Sequence, residues 1–129
     1  MATCSFAEFA ARCDRGELPP VVLFGPGKAH FSREPFEPVL AEQGVDRIVE
    51  RFVDPSLRDL ALGIYYADET EPGAIVGEAE TLPFLAERRV VVVRSADRYS
   101  EVSGDKGKPF SAMVRYFQAP SDSTLLVFV

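Results

Sequence analysis

No apolar run in this sequence approaches the ~18 residues needed to span a bilayer, which argues against a membrane protein. Positive charge is scarce as well: 14 Lys and Arg stand against 20 Asp and Glu, for a net charge of −6 and a pI near 4.8. With a Debye length of about 8 Å in cells, such a surface exerts little long-range pull on phosphates. DNA and RNA are therefore poor direct partners. Cysteine occurs only at Cys4 and Cys13, with no CxxC pair and no Cys/His spacing, so no metal site is expected and the thiols read as reduced. The lone histidine, His30, has no Cys or Ser beside it in a recognisable motif, which favours a loop or packing role over catalysis. The opening MATCSFAEFAARCD lacks the basic region and apolar block of a signal peptide. These absences predict a soluble, cytoplasmic protein that carries no cofactor.

What is present suffices for one core: 129 residues, 47% of them hydrophobic. Ser5-Phe6-Ala7-Glu8 fits a capping box ahead of a short helix with Phe6, Phe9, Ala10 and Cys13 on one face, and Gly16 supplies a left-handed stop. Val21–Phe24 reads as a strand buried on both faces, followed by the turn Gly25-Pro26-Gly27. A long helical pattern then runs through Leu40, Ala41, Val45, Ile48, Val49 and Phe52, with Pro35 and Pro38 near its first turn and Gly44 as a point of division. Leu60, Leu62, Ile64 and Tyr66 alternate with Ala61, Gly63 and Tyr65 as a second strand. Thr70 is the expected cap of a helix carrying Ile75, Val76, Ala79 and Leu82, which Pro83 ends.

The four valines of RRVVVVR form a third buried strand, and SADRYSEVSGDKGK is a polar loop. Pro109 opens a last helix with Phe110, Met113, Val114 and Phe117 on its apolar stripe, and STLLVFV is the fourth strand. Strands alternating with helices predict an α/β fold, a three-layer core around a mostly parallel sheet. The chain stops on an apolar strand with no helix after it. Residues 1–129 are thus expected to be one domain cut from a longer chain, with the strand ending at Val129 as an open edge that pairs with another copy.

VVLFGPGKAHFS has the outline of a phosphate-binding loop. A working one needs G-x-x-x-x-G-K-[ST], so that backbone amides wrap the phosphates, the lysine reaches them and the hydroxyl holds Mg²⁺. Gly27 and Lys28 fit the end of that motif, but its first glycine would fall at Val22, inside the strand, and its hydroxyl at Ala29. The acid that completes a Mg²⁺ shell normally follows an apolar strand such as VVVV, and Arg94 stands there. Both ligand sets fail. Gly25, Gly27 and Lys28 form a degenerate phosphate loop, not expected to bind nucleotide. The acidic groups in GEAE and ADETE read as solvated residues favoured by a helix start.

The order of these parts, with RDLALGIYYADE, AETLPFLAERRVVVVRSAD and MVRYFQAPSDSTLLVFV, resembles the N-terminal domain of the delta-subunit family of the bacterial DNA polymerase III clamp loader. The similarity runs from Val21 to Val129, and its most specific part is TLPFLAERR leading into the valine strand. The resemblance implies a P-loop-like fold of the AAA+ type whose delta members bind no ATP. It implies a non-catalytic component of the DNA polymerase III holoenzyme (DNA-directed DNA polymerase) that binds and opens the sliding clamp for DNA replication. Its partners would be the clamp, or beta subunit, and the other loader subunits, which bind through regions outside this chain; DNA would be met only indirectly. By the same resemblance the clamp-binding residues map to Leu82, Phe84 and Leu85. The residues themselves give a physical reason: Pro83 forces the chain out of the helix, so these neighbouring apolar side chains cannot all face one core. Their alternative role is to pack beneath the third strand, Leu82 above all, and Arg88 and Arg89 are either rim contacts or strand-end charges. The competing functional class is a P-loop-like NTPase or small-molecule kinase whose remaining ligands lie elsewhere.

Overall fold

The computed structural model describes residues 4–25, 38–81, 88–96 and 111–129. The first helix, α1 (Phe6–Asp14), begins where the sequence predicts: Ser5 Oγ accepts the Glu8 N–H at 3.3 Å. It ends at Gly16, whose φ of +72° lets the Gly16 and Glu17 amides turn back onto the carbonyls of Cys13 and Arg12. Strand β1 (Val21–Leu23) is short. Helix α2 (Pro38–Phe52) is followed by a 3₁₀ turn (Pro55–Leu57) that Asp54 caps through the Ser56 amide, and by a single helical turn, α3 (Arg58–Ala61). Strand β2 (Leu62–Tyr66), helix α4 (Pro72–Glu80), strand β3 (Arg89–Arg94), helix α5 (Ser111–Gln118) and strand β4 (Thr124–Phe128) complete the order.

The four strands form one sheet in the order β1-β4-β3-β2, and all three pairings are parallel. Alternation divides the side chains between two cores. Val90, Val92, Leu125 and Val127 meet Phe9, Cys13, Val45 and Ile48 of α1 and α2. Val91, Val93, Leu126 and Phe128 meet Ile75, Val76, Ala79, Met113 and Tyr116 of α4 and α5. This is the predicted three-layer α/β core, and the valine run is continuous because both faces of β3 are covered.

Several local expectations change. The strand ending at Val129 is not an open edge: β4 lies between β1 and β3, and each of its five residues is buried. The last strand in sequence entered the middle of the sheet because β1 pairs on its far side. Gly44 does not divide α2. The helix runs through it, and the missing side chain makes room for the Phe24 ring, 2.6 Å from where a Cβ would stand. The cap of α4 is Glu71 rather than Thr70, since Pro72 takes the first helical position. Leu60 and Ala61 belong to α3 and not to the second strand. On α5 the buried pair is Met113 and Tyr116, whereas Val114 is exposed. Cys13 is buried and Cys4 exposed, and burial pushes the Cys13 thiol pKa up. Of the tyrosine pair, Tyr65 packs against the α4–α5 core while Tyr66 is exposed.

Candidate functional site

The residues singled out by the sequence fall in two places: the carboxyl end of the sheet, where the phosphate loop would lie, and the connection from α4 to β3. Open parallel sheets bind ligands beyond the carboxyl ends of their strands. There, the Phe24 N–H donates to the Phe128 carbonyl at 2.9 Å, and the Phe24 ring stands edge-on to Phe9 with centroids 4.9 Å apart. Val22, at the position of the motif's first glycine, is held inside β1 opposite Val127. Gly25 is exposed with open space around it, while Gly27, Lys28, Ala29 and His30 fall outside the described residues.

Arg94 ends β3 where a metal-binding acid would stand, and its guanidinium grips the Glu42 carboxylate of α2 with both nitrogens, at 2.5 and 3.0 Å. Arg94's hydrogen bonds hold the Glu42 carboxyl below its ordinary pKa, and the same bonds raise that of Arg94. A cation thus occupies the place of the acid, and the acid facing it is engaged as its counter-ion. Among the described residues, no three His, Cys, Asp or Glu side chains cluster as metal ligands. A shallow groove of about 520 Å³ between α1 and α2 is lined by Phe6, Asp14, Asp46, Arg47 and Arg51. Within it Arg47 pairs with Asp14, donating to both carboxylate oxygens at 3.1 Å, and Arg51 donates to the Asp14 backbone carbonyl at 3.3 Å.

The connection from α4 to β3 holds Leu82, Phe84 and Leu85, which fall outside the described residues. Its two flanks are well defined. At the end of α4, Thr81 Oγ1 donates to the Gly77 carbonyl at 2.8 Å. At the start of β3, Arg89 reaches back across the connection. Its Nη1 donates to the Glu78 carbonyl at 2.9 Å, and its Nη2 lies 2.8 Å from Glu78 Oε2. Only 14% of the Arg89 side chain is exposed, so it is an inward clasp and not a rim contact. Arg88 lies over the Phe52 ring, 5.1 Å from its centroid.

Tyr65 completes this cluster from β2. Burial, and then its hydrogen bond with Glu78, push the phenol's pKa up, while the bonds from Arg89 and Tyr65 hold Glu78 down. Gly63 leaves the room: a Cβ there would stand 2.9 Å from the Tyr65 ring and 3.4 Å from Arg89 Nη2. Glu78 was expected to be solvated near a helix start. It lies instead in the last turn of α4, where carbonyls and a carboxylate both call for a cation, and Arg89 is that cation. Glu42, Tyr65 and Glu78 carry no motif. The sole hint in the sequence is that each has a basic residue available at an end of the valine strand.

The family described as "DNA polymerase III, delta subunit" matches residues 36–129. DNA polymerase III subunit delta of Bacillus subtilis (strain 168) is 30% identical over 120 residues, covering 89% of this chain and 31% of that protein. The solved structure of the Bacillus subtilis DNA clamp loader delta protein matches with a TM-score of 0.75 at 26% identity, over 96% of this chain and 34% of that one. This chain therefore spans about a third of the length of the relatives it matches. The family's match takes in α2, the whole α4–β3 flank and three of the four strands, so this chain belongs to the DNA polymerase III delta-subunit family.

Proposed function

We propose that this chain is the clamp-binding part of a clamp-loader delta subunit. It acts in the cytoplasm without catalysing a reaction itself, seats an apolar segment in a pocket of the sliding clamp, and meets DNA only through its partners. Family membership carries the role, and the α4–β3 connection carries its place. That connection holds Leu82, Phe84 and Leu85 around Pro83, and its flanks are fastened to the body of the fold by Arg88 and Arg89. Flanks that are held in place suit a segment that inserts into a partner's pocket, because less of the chain has to be ordered on binding. The bidentate pairing of Arg94 with Glu42 supports a role without nucleotide, since neither residue is left for a metal. Among the described residues, no helix is long and apolar enough to cross a membrane.

The test is binding to a purified bacterial sliding clamp by calorimetry. Replacing Phe84 and Leu85 together by Ala weakens binding by about 2–4 kcal/mol, the range for interface anchors, with little change in melting temperature. A double variant that binds as before, or that unfolds, assigns these residues to another role.

A further inference from the structure

β2 is an edge of the sheet: it pairs with β3 on one side, and among the described residues no strand pairs with the other. The Ala67 N–H donates inward, to the Arg94 carbonyl at 2.9 Å, so by alternation Leu62, Ile64 and Tyr66 turn their backbone groups outward. The ends of this row are satisfied locally. The Leu62 N–H donates to the Arg58 carbonyl, and the Tyr66 carbonyl accepts the Glu69 N–H at 3.0 Å. Its centre stays open, from the Leu62 carbonyl through both backbone groups of Ile64 to the Tyr66 N–H. Sheet edges are ordinarily guarded by a lysine, a proline or a bulge. Leu62–Tyr66 carries no charge and no proline, and its register with β3 is unbroken. The side chains are uncovered as well. Leu62 packs against the α1–α2 core, whereas Ile64 and Tyr66 on the same face are 46% and 47% exposed, and Leu60 just ahead of the strand is 45% exposed.

Acids frame this apolar strip. Asp59 precedes it, Asp68, Glu69 and Glu71 follow it, and all are exposed, while Arg58 is the only base from Val53 to Thr81. On the inner side, Asp46 of α2 acts on Arg94, the register partner of Tyr66, and the Arg94 charge is already taken by Glu42. We propose that the outer edge of β2 takes an extended segment of a partner protein as an added strand. That segment carries apolar side chains at alternate positions, to cover Ile64 and Tyr66, and Lys or Arg at each end, to meet Asp59 on one side and Asp68 and Glu69 on the other. Backbone pairing gives the alignment, and the charges give the choice of partner. A second copy of this chain is the wrong occupant, because it would bring the same acids together. The strip faces the α1–α2 side of the sheet, away from α4, and its occupant is therefore separate from the clamp.

The probe is a capped synthetic peptide of alternating valine and threonine with a pair of lysines at each end, titrated into the isotope-labelled chain and followed by nuclear magnetic resonance. Binding is expected with a Kd below about 1 mM. The Ile64 and Tyr66 amides shift, and at saturation their hydrogen exchange slows about fivefold or more while that of the β1 amides is unchanged. Glutamates in place of the lysines weaken binding about tenfold, and raising salt from about 0.05 to about 0.5 M weakens the lysine peptide about fivefold. The double variant Ile64→Thr/Tyr66→Thr, which keeps strand propensity and removes the apolar cover, binds about tenfold more weakly. Should it fail to fold by circular dichroism, the lysine peptide methylated on its backbone nitrogens decides the matter on the wild-type chain, since it cannot pair and should not bind. No binding at about 1 mM overturns the proposal. So do equal binding of the glutamate or the methylated peptide, shifts confined to β1 or to the α1–α2 groove, and a dimer in light scattering that the Ile64→Thr/Tyr66→Thr variant abolishes, which would make a second copy the occupant.

Discussion

Gly44 stands in the middle of α2, where glycine costs about 1 kcal/mol relative to alanine. It is retained by contact: the Phe24 ring, itself braced by Phe9, fills the space its Cβ would need. Gly44→Ala is therefore expected to destabilise by about 1 kcal/mol net, overpacking outweighing helix propensity, and to become stabilising once Phe24 is replaced by Leu. Urea unfolding of the two backgrounds checks this; a stabilising Gly44→Ala with Phe24 intact refutes it. The paired carboxylates make a second prediction. Arginine hydrogen bonds hold Glu42 and Glu78 below their ordinary pKa of 4.5, so protonation is harder in the folded state than in the unfolded. Their contribution is fully present above about pH 5 and is lost as pH falls through the folded values. Glu42 is half exposed and Glu78 partly so, which limits each pair to about 1 kcal/mol or less. Stability measured between pH 6 and 3 should fall less steeply for Glu42→Gln/Glu78→Gln than for the parent, and coincident slopes would contradict the assignment.

Among the elements, the buried strands were the easiest to read. Val90 to Val93 have no polar residue to place outward, and only a strand covered by helices on both faces accommodates them. α1 was equally plain, because Ser5 and Gly16 mark its ends by side-chain and backbone chemistry that acts locally. What escaped depends on neighbours distant in sequence. Gly44 looks like a break until Phe24 is seen against it, and Leu60 continues an alternation that the single turn of α3 interrupts. Val114 fits a helical stripe, but Tyr116 takes the core position beside Met113, with its hydroxyl accepting the Ser121 N–H at 3.3 Å. At the candidate site, the clasp across the base of the α4–β3 connection was not legible, since nothing in the spacing of Tyr65, Glu78 and Arg89 joins them. The carboxyl end of β3 yields a prediction on the same scale. Because Arg94 and Glu42 satisfy each other and Val22 is fixed in β1, calorimetry should find no Mg-ATP binding tighter than about 100 μM, or some −5.5 kcal/mol. Arg94→Asp should not create it, since Val22 and Ala29 remain; binding in either protein would revive the NTPase alternative.

For the molecule as a whole, the interior place of β4 changes what its substitutions do. Leu126 and Phe128 face the α4–α5 core, Leu126 fully buried, so Leu126→Lys places a charge where there is no partner. The variant is expected to lose more than about 4 kcal/mol and to unfold, visible as collapse of the circular dichroism spectrum, whereas a surface strand would merely change its association state. A folded Leu126→Lys chain would show that β4 is not the centre of the sheet. The same arrangement has a consequence in time. β2 and β3 pair across the single helix α4, but Val21 finds Leu126 roughly a hundred residues later in the chain. On a ribosome β1 is synthesised early and must wait, unpaired, until β4 has emerged. β1 is therefore locked only when β4 arrives, and these two strands join the sheet in one event.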